Sequence, residues 1–143
     1  MTLSIVQLPL GPLQTNCYLM ACTTTGQAAV VDPAWDGRAI LAQATSHGWA
    51  ISHILLTHSH FDHVGGLAEL KELTGAPIYA HPDAGPMLAR ATAAAALWGF
   101  HVDAPPPADL SLAEVVYLTW RTRAALPADL PLFGAPRPQP FRP

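Results

Sequence analysis

Apolar residues along this chain alternate between a strand-like and a helix-like arrangement. The runs Cys17-Tyr18-Leu19-Met20-Ala21-Cys22 and Ala28-Ala29-Val30-Val31 flank the polar stretch Thr23-Thr24-Thr25-Gly26-Gln27. That pattern predicts two strands joined by a hairpin, with glycine available for the tight turn. The spacing then lengthens. Asp36 can cap a helix whose apolar side includes Ile40, Leu41 and Ala44, and Gly48 can end it. Ile54-Leu55-Leu56 predicts a buried strand that opens into a loop at Thr57. Leu67, Leu70 and Leu73 favour one face of a second helix ended by Gly75, and Pro77-Ile78-Tyr79-Ala80 predicts a short strand. The alanine-rich segment from Ala84 to Phe100 predicts a helix, with Met87, Leu88, Leu97, Trp98 and Phe100 as core or lid contacts rather than a specific pocket. Strands alternating with helices define the class as α/β, and no internal repeat is visible.

The chemistry is concentrated after the third strand. Residues 57 to 66 read Thr-His-Ser-His-Phe-Asp-His-Val-Gly-Gly, which packs His58, His60, Asp62 and His63 into six positions. Imidazole and carboxylate are the ligands preferred by zinc and by iron or manganese of similar charge, and no neighbouring thiolate points to a closed structural zinc site. His58 and His60, two apart, can face one point, while Asp62 and His63 follow the turn and face another. Two ions are implied, an arrangement that clamps a bridging water for hydrolysis. The helical motif with histidines four apart is absent, which disfavours helix-borne metalloprotease chemistry.

The run from Leu55 to Gly66 resembles the signature of the metallo-β-lactamase superfamily. Gly11-Pro12-Leu13-Gln14-Thr15-Asn16-Cys17-Tyr18 with Val30-Val31-Asp32-Pro33 resembles the opening of its glyoxalase II-like branch. The likeness covers about residues 3 to 114, and it implies the N-terminal half of an αββα sandwich. It also implies that His58 and His60 bind one metal and Asp62 and His63 the second, with Asp62 the catalytic carboxylate. Asp32 would buttress the metal loop from behind without being a ligand. The resemblance further implies a third histidine, a bridging aspartate and a final histidine in a second half. The only histidines after His63 are His81 and His101, and neither has the expected context.

Length and charge agree with a half. At 143 residues, half of them hydrophobic, the chain can bury a sheet and its covering helices but is too short for the full sandwich. Its net charge of −3 suggests neither nucleic acid nor an acidic membrane as partner. Residues 1 to 114 hold three basic against nine acidic residues, whereas residues 115 to 143 hold four arginines against the single Asp129. Prolines at 127, 131, 136, 138, 140 and 143 make the tail unfit for a packed second half. Two segments are therefore expected: a partial domain at 1–114 and a divergent Pro/Arg-rich tail at 115–143. A shifted reading frame or a genuine variant with a disordered end would each produce that break, and composition favours the shift.

No apolar stretch is long enough to cross a bilayer and no basic residue precedes Arg38, so the expected location is cytoplasmic. Cys17 and Cys22 lie five apart in one strand, on opposite faces, and are expected to stay reduced. The resemblance implies a zinc-dependent thioester hydrolase that cleaves an acyl-glutathione to acid and thiol, incomplete or inactive as this chain. Two other readings stay open: an iron-dependent persulfide dioxygenase-like enzyme, and a non-catalytic metal-binding or interaction fragment. The partners implied are a small acyl substrate and a further copy packed on the uncovered sheet face.

Overall fold

The structure is a computed structural model that describes residues 2–112. The expected boundary after Glu114 and the tail beyond it lie outside the described residues. One six-stranded mixed sheet forms the frame: β1 (Leu3–Leu10), β2 (Thr15–Cys22), β3 (Gln27–Val31), β4 (Ala50–Leu55), β5 (Ile78–Ala80) and β6 (Leu110–Ser111), in that spatial order. The first three strands run antiparallel, and β3 to β6 run parallel. The predicted hairpin is β2–β3, paired from Tyr18↔Val31 to Ala21↔Ala28.

Helices cover one face of the sheet: α1 (Gly37–Ser46), α2 (Phe61–Val64), α3 (Leu67–Thr74), α4 (Gly85–Ala89) and α5 (Ala91–Leu97). Asp36 caps α1 as its sequence position predicts, its carboxylate accepting from the Ala39 amide at 3.0 Å. Gly75, in the left-handed region, ends α3 by donating to the Lys71 carbonyl at 2.8 Å. Cys17, Leu19, Val30, Ile54 and Ile78 from the sheet meet Ile40, Val64, Leu67 and Leu70 from the helices in one core. The edge strand β6 is held by Asp109, whose Oδ2 accepts from the Ile78 amide and from Lys71 Nζ, each at 2.8 Å.

No helix among the described residues covers the other face. A small cluster of Ala29 and Leu55 with Met20, Val31 and Tyr79 lies there, and Ile5, opposite Met20 in the β1–β2 register, is 57% exposed. One sheet with one helical layer is the half-sandwich architecture expected from the sequence. No described helix is long and apolar enough to cross a membrane.

Two expectations need correction. The segment from Ala84 to Phe100 is not one helix: a 3-10 turn at Pro82–Ala84 leads into α4, and the chain breaks at Arg90 before α5. Leu88 is buried as expected, but Leu97 is 88% and Trp98 74% exposed. The reason is rotational. Ala91 and Ala95, four apart, form the buried stripe of α5, and Leu97 lies roughly 200° further round from Ala95 at about 100° per residue. Likewise α3 buries Leu67 and Leu70, while Leu73 is turned to the exposed side.

Both cysteines are buried and free. Burial pushes the Cys17 thiol from its ordinary 9.0 up to about 12; a backbone hydrogen bond from Ala34 opposes the rise, and the charge of Asp32 adds to it. The unfolded chain therefore loses this proton at lower pH than the native one. Stability linked to Cys17 is fully present below pH 9 and is lost as pH rises from there through about 12. Denaturant unfolding across that range should show a fall that is shallower in Cys17→Ala. Parallel pH profiles for the two proteins would assign the alkaline loss to other groups.

Candidate metal centre

Parallel strands place their carboxyl ends at the same edge of the sheet, so the loops leaving β3 and β4 must meet. They meet through Asp32. This residue follows β3 in a left-handed conformation with φ of 51°, while its amide still donates to the Leu55 carbonyl at 2.9 Å. Its side chain is thereby turned in under the loop that leaves β4. Asp32 is 5% exposed, and its carboxylate accepts three hydrogen bonds. Oδ1 takes the Thr57 amide at 2.7 Å, and Oδ2 takes the Thr57 hydroxyl and His63 Nδ1, the latter at 3.0 Å.

These bonds set proton positions on two rings. A carboxylate can only accept, so His63 carries a proton on Nδ1, and in the neutral ring it is Nε2 that keeps the lone pair. The Thr57 hydroxyl spends its proton on Asp32 and so accepts from His58 Nδ1 at 2.9 Å, which leaves His58 Nε2 free as well. Burial, reinforced by the neighbouring His63, depresses the His58 pKa below the ordinary histidine value; the imidazole is thus favoured in its neutral, ligating form.

The rings converge. The centroids of His58 and His63 are 3.9 Å apart, and those of His58 and His60 are 4.7 Å apart with the planes nearly perpendicular. His63 Nε2 lies 3.6 Å from Asp62 Oδ2, and that same oxygen accepts from the Thr15 hydroxyl at 2.9 Å. With zinc–ligand bonds of about 2.1 Å, two ligands of one tetrahedral ion sit roughly 3.4 Å apart, so this pair has the bite of a single ion. The donor set fits a borderline divalent metal. Ligand-type atoms of Asp32, His58 and His63 also fall within 4.8 Å of one another. Asp32 is a poor ligand in that group, because both of its oxygens are occupied by loop hydrogen bonds.

Of the five residues singled out in the sequence, Asp32, His58 and His63 bring ligand-type atoms together, Asp62 adjoins this group through His63, and His60 adjoins it through the ring of His58. The two later histidines bond locally instead. His81 Nδ1 accepts from the Asp83 amide at 3.2 Å, and His101 Nε2 pairs with Asp103 at 3.1 Å on the surface. Ser59, between the first two histidines, is buried with a hydroxyl that finds no partner among the described residues.

Sequence reasoning missed Thr15, Thr57 and Trp35. Trp35 acts as a spacer between three loops. A Cβ on Gly65 would come within 2.4 Å of its ring and 2.5 Å of the Ala34 carbonyl, one on Gly66 within 2.8 Å of the Trp35 backbone, and one on Gly11 within 2.9 Å of the ring. Gly11 and Gly65 therefore allow close approach to the Trp35 indole, and Gly66 allows close approach to the Trp35 backbone. Phe100 packs edge-on against Trp35, with ring centroids 6.3 Å apart, and at a tilt against Phe61, with centroids 5.9 Å apart.

The chain belongs to the metallo-beta-lactamase superfamily, whose family model matches residues 10–131. It is 35% identical over 102 residues to a probable metallo-hydrolase of Bacillus subtilis, YqgX, covering 70% of this chain and 47% of that protein. It is 51% identical over 61 residues to the hydroxyacylglutathione hydrolase of Rhodospirillum rubrum, covering 43% of this chain and 23% of that enzyme. Among solved structures it resembles TTHA1623 in a di-iron-bound form, with a TM-score of 0.73 and 37% identity over 79% of this chain and 56% of that one. It also resembles BLEG-1, a B3 metallo-beta-lactamase, with a TM-score of 0.69 and 30% identity over 78% of this chain and 54% of that one. The chain spans about half or less of the length of these relatives.

The stacking around Trp35 makes a direct prediction. Gly65→Ala should force the ring and the loop apart and lower the unfolding free energy by roughly 1–3 kcal/mol, the usual cost of overpacking. Denaturant unfolding measures it, and an unchanged midpoint would mean that the 32–36 loop yields without cost.

Proposed function

We propose that this chain carries the first half of a dinuclear metallohydrolase centre that cleaves thioesters of the acyl-glutathione class. His58 and His60 hold one ion, and Asp62 and His63 hold the second. Asp32 fixes the loop that bears them. The observation that carries the reading is the cluster itself: His58 and His63, whose Nδ1 atoms are engaged in hydrogen bonds that leave Nε2 available, with His63 Nε2 lying 3.6 Å from Asp62 Oδ2. When bound, the metal supplies Lewis-acid activation of water and of the substrate carbonyl. The chain's own residues orient the ligands, hold the ring protons on Nδ1 and keep the Asp62 carboxylate turned toward His63.

The thioester substrate is supported by relatives. The hydroxyacylglutathione hydrolases of Rhodospirillum rubrum and of a Polaromonas species are 51% and 46% identical over the matched 61 and 72 residues. The proposed division puts the partial domain at residues 1–114 and the tail at 115–143. The remaining ligands of a complete centre would come from a second half, seated on the sheet face that carries Met20, Val31, Leu55 and Tyr79. A further copy of the chain packed on that face would make a homo-oligomer. The free, buried Cys17 and Cys22 suit a cytoplasmic setting.

Zinc is the proposed metal, and the di-iron form of TTHA1623 supports iron as the second choice. An iron-loaded protein that consumes oxygen with a persulfide, and does not release thiol from an acyl-glutathione, would favour the redox reading.

Two measurements test the hydrolase. Purified chain should bind zinc weakly and below full occupancy, and His58→Ala/His60→Ala should bind markedly less; equal zinc in both proteins would remove the site. The 143-residue chain alone should release little or no thiol from an acyl-glutathione. A fusion carrying a family-like second half after Glu114 should gain zinc-dependent turnover that Asp62→Ala abolishes. Robust turnover by the isolated chain would mean that its remaining ligands come from another copy or from residues given structural roles above.

A further inference from the structure

Thr15 lies 47 positions before Asp62 in sequence, yet its hydroxyl donates to Asp62 Oδ2 at 2.9 Å. It is the first residue of β2 and pairs with Leu10, the last residue of β1. The turn between them is tight: the Gln14 amide and side-chain Nε2 both donate to the Gly11 carbonyl, at 3.1 and 2.9 Å, and Gln14 is left-handed. Gly11 abuts Trp35, which in turn abuts Gly65. The start of β2 is therefore held in register with the metal loop by packing, before the hydroxyl is considered.

The hydroxyl adds direction. It lands on the carboxylate oxygen that faces His63 Nε2, and so it fixes the plane of the carboxylate. We infer that Thr15 is a positioning residue for Asp62, setting the bite between Asp62 and His63 in which the second ion sits. This rests on the dinuclear reading above. A partner hydrogen-bonded to a ligand in this way generally changes metal affinity about 10- to 100-fold when removed. A fold staple would behave differently: it would change the stability of the metal-free protein and leave metal affinity alone.

The test uses the full chain, stripped with chelator and titrated with zinc by calorimetry, with thermal unfolding of each metal-free protein alongside. Thr15→Val keeps the β-branched shape and removes the donor; Thr15→Ser keeps the donor. Expected is a loss of at least about tenfold in zinc affinity for Thr15→Val, affinity near wild type for Thr15→Ser, and similar metal-free unfolding for all three. In an Asp62→Ala background, Thr15→Val should cost nothing further. Wild-type zinc affinity in Thr15→Val overturns the inference and leaves the metal reading standing. Equal losses in Thr15→Val and Thr15→Ser, or the same loss in the Asp62→Ala background, also overturn it. A wild-type chain that binds no zinc overturns the reading and the inference together.

Discussion

One buried carboxylate organises this molecule. Asp32 sits at the carboxyl end of β3, almost wholly removed from water, and accepts from the Thr57 amide, the Thr57 hydroxyl and His63 Nδ1. A buried carboxylate without partners would be strongly unfavourable, and each hydrogen bond to a charged group contributes about 1.5–3 kcal/mol. The loop after β4 is thus tied where Asp32 is, and Asp32 is where the parallel pairing of β3 and β4 puts it. The same bonds decide which ring nitrogens keep a proton. Fold and ligand chemistry are coupled through a residue that need not touch the metal.

Packing does the rest. Trp35, three residues after Asp32, fills the space between the β1–β2 turn and the start of α3, and Gly11, Gly65 and Gly66 let the chain come close to it. That contact brings the turn carrying Thr15 up to the helix carrying Asp62. Three segments distant in sequence, around residues 11–15, 32–36 and 57–66, therefore form one unit at one end of the sheet. The opposite sheet face has no such organisation among the described residues; its Met20, Val31, Leu55 and Tyr79 form a small apolar cluster without a helical layer.

The hairpin, α1 with its Asp36 cap, α3 with its glycine stop and the short β5 were all legible, because each depends on local spacing and on a capping or turn residue. β1 was not, because its two faces are both largely apolar: Leu3 and Ile5 on the exposed side hide the alternation of Val6, Leu8 and Leu10 against the core. β6, two residues long, carries no pattern at all. The alanine-rich segment gave the helix type but not its break or its face, since small residues supply the buried stripe and the large ones point outward. In the site, the four clustered ligand-type residues stood out from their spacing, and Asp32 from the resemblance. Thr15, Thr57 and Trp35 did not, because each matters only through contacts that the folded sheet creates.

The Asp32 carboxylate, directly and through Thr57, fixes the proton positions of His63 and His58, and the rest of the site depends on it. Nitrogen-15 NMR of the metal-free protein, at a pH where the rings are neutral, reads this directly from the side-chain nitrogens of His58 and His63. Both rings should be protonated on Nδ1 with Nε2 bare, and that single tautomer should be lost in Asp32→Ala. Both rings protonated on Nε2 in the wild-type chain, or unchanged spectra in Asp32→Ala, would contradict it.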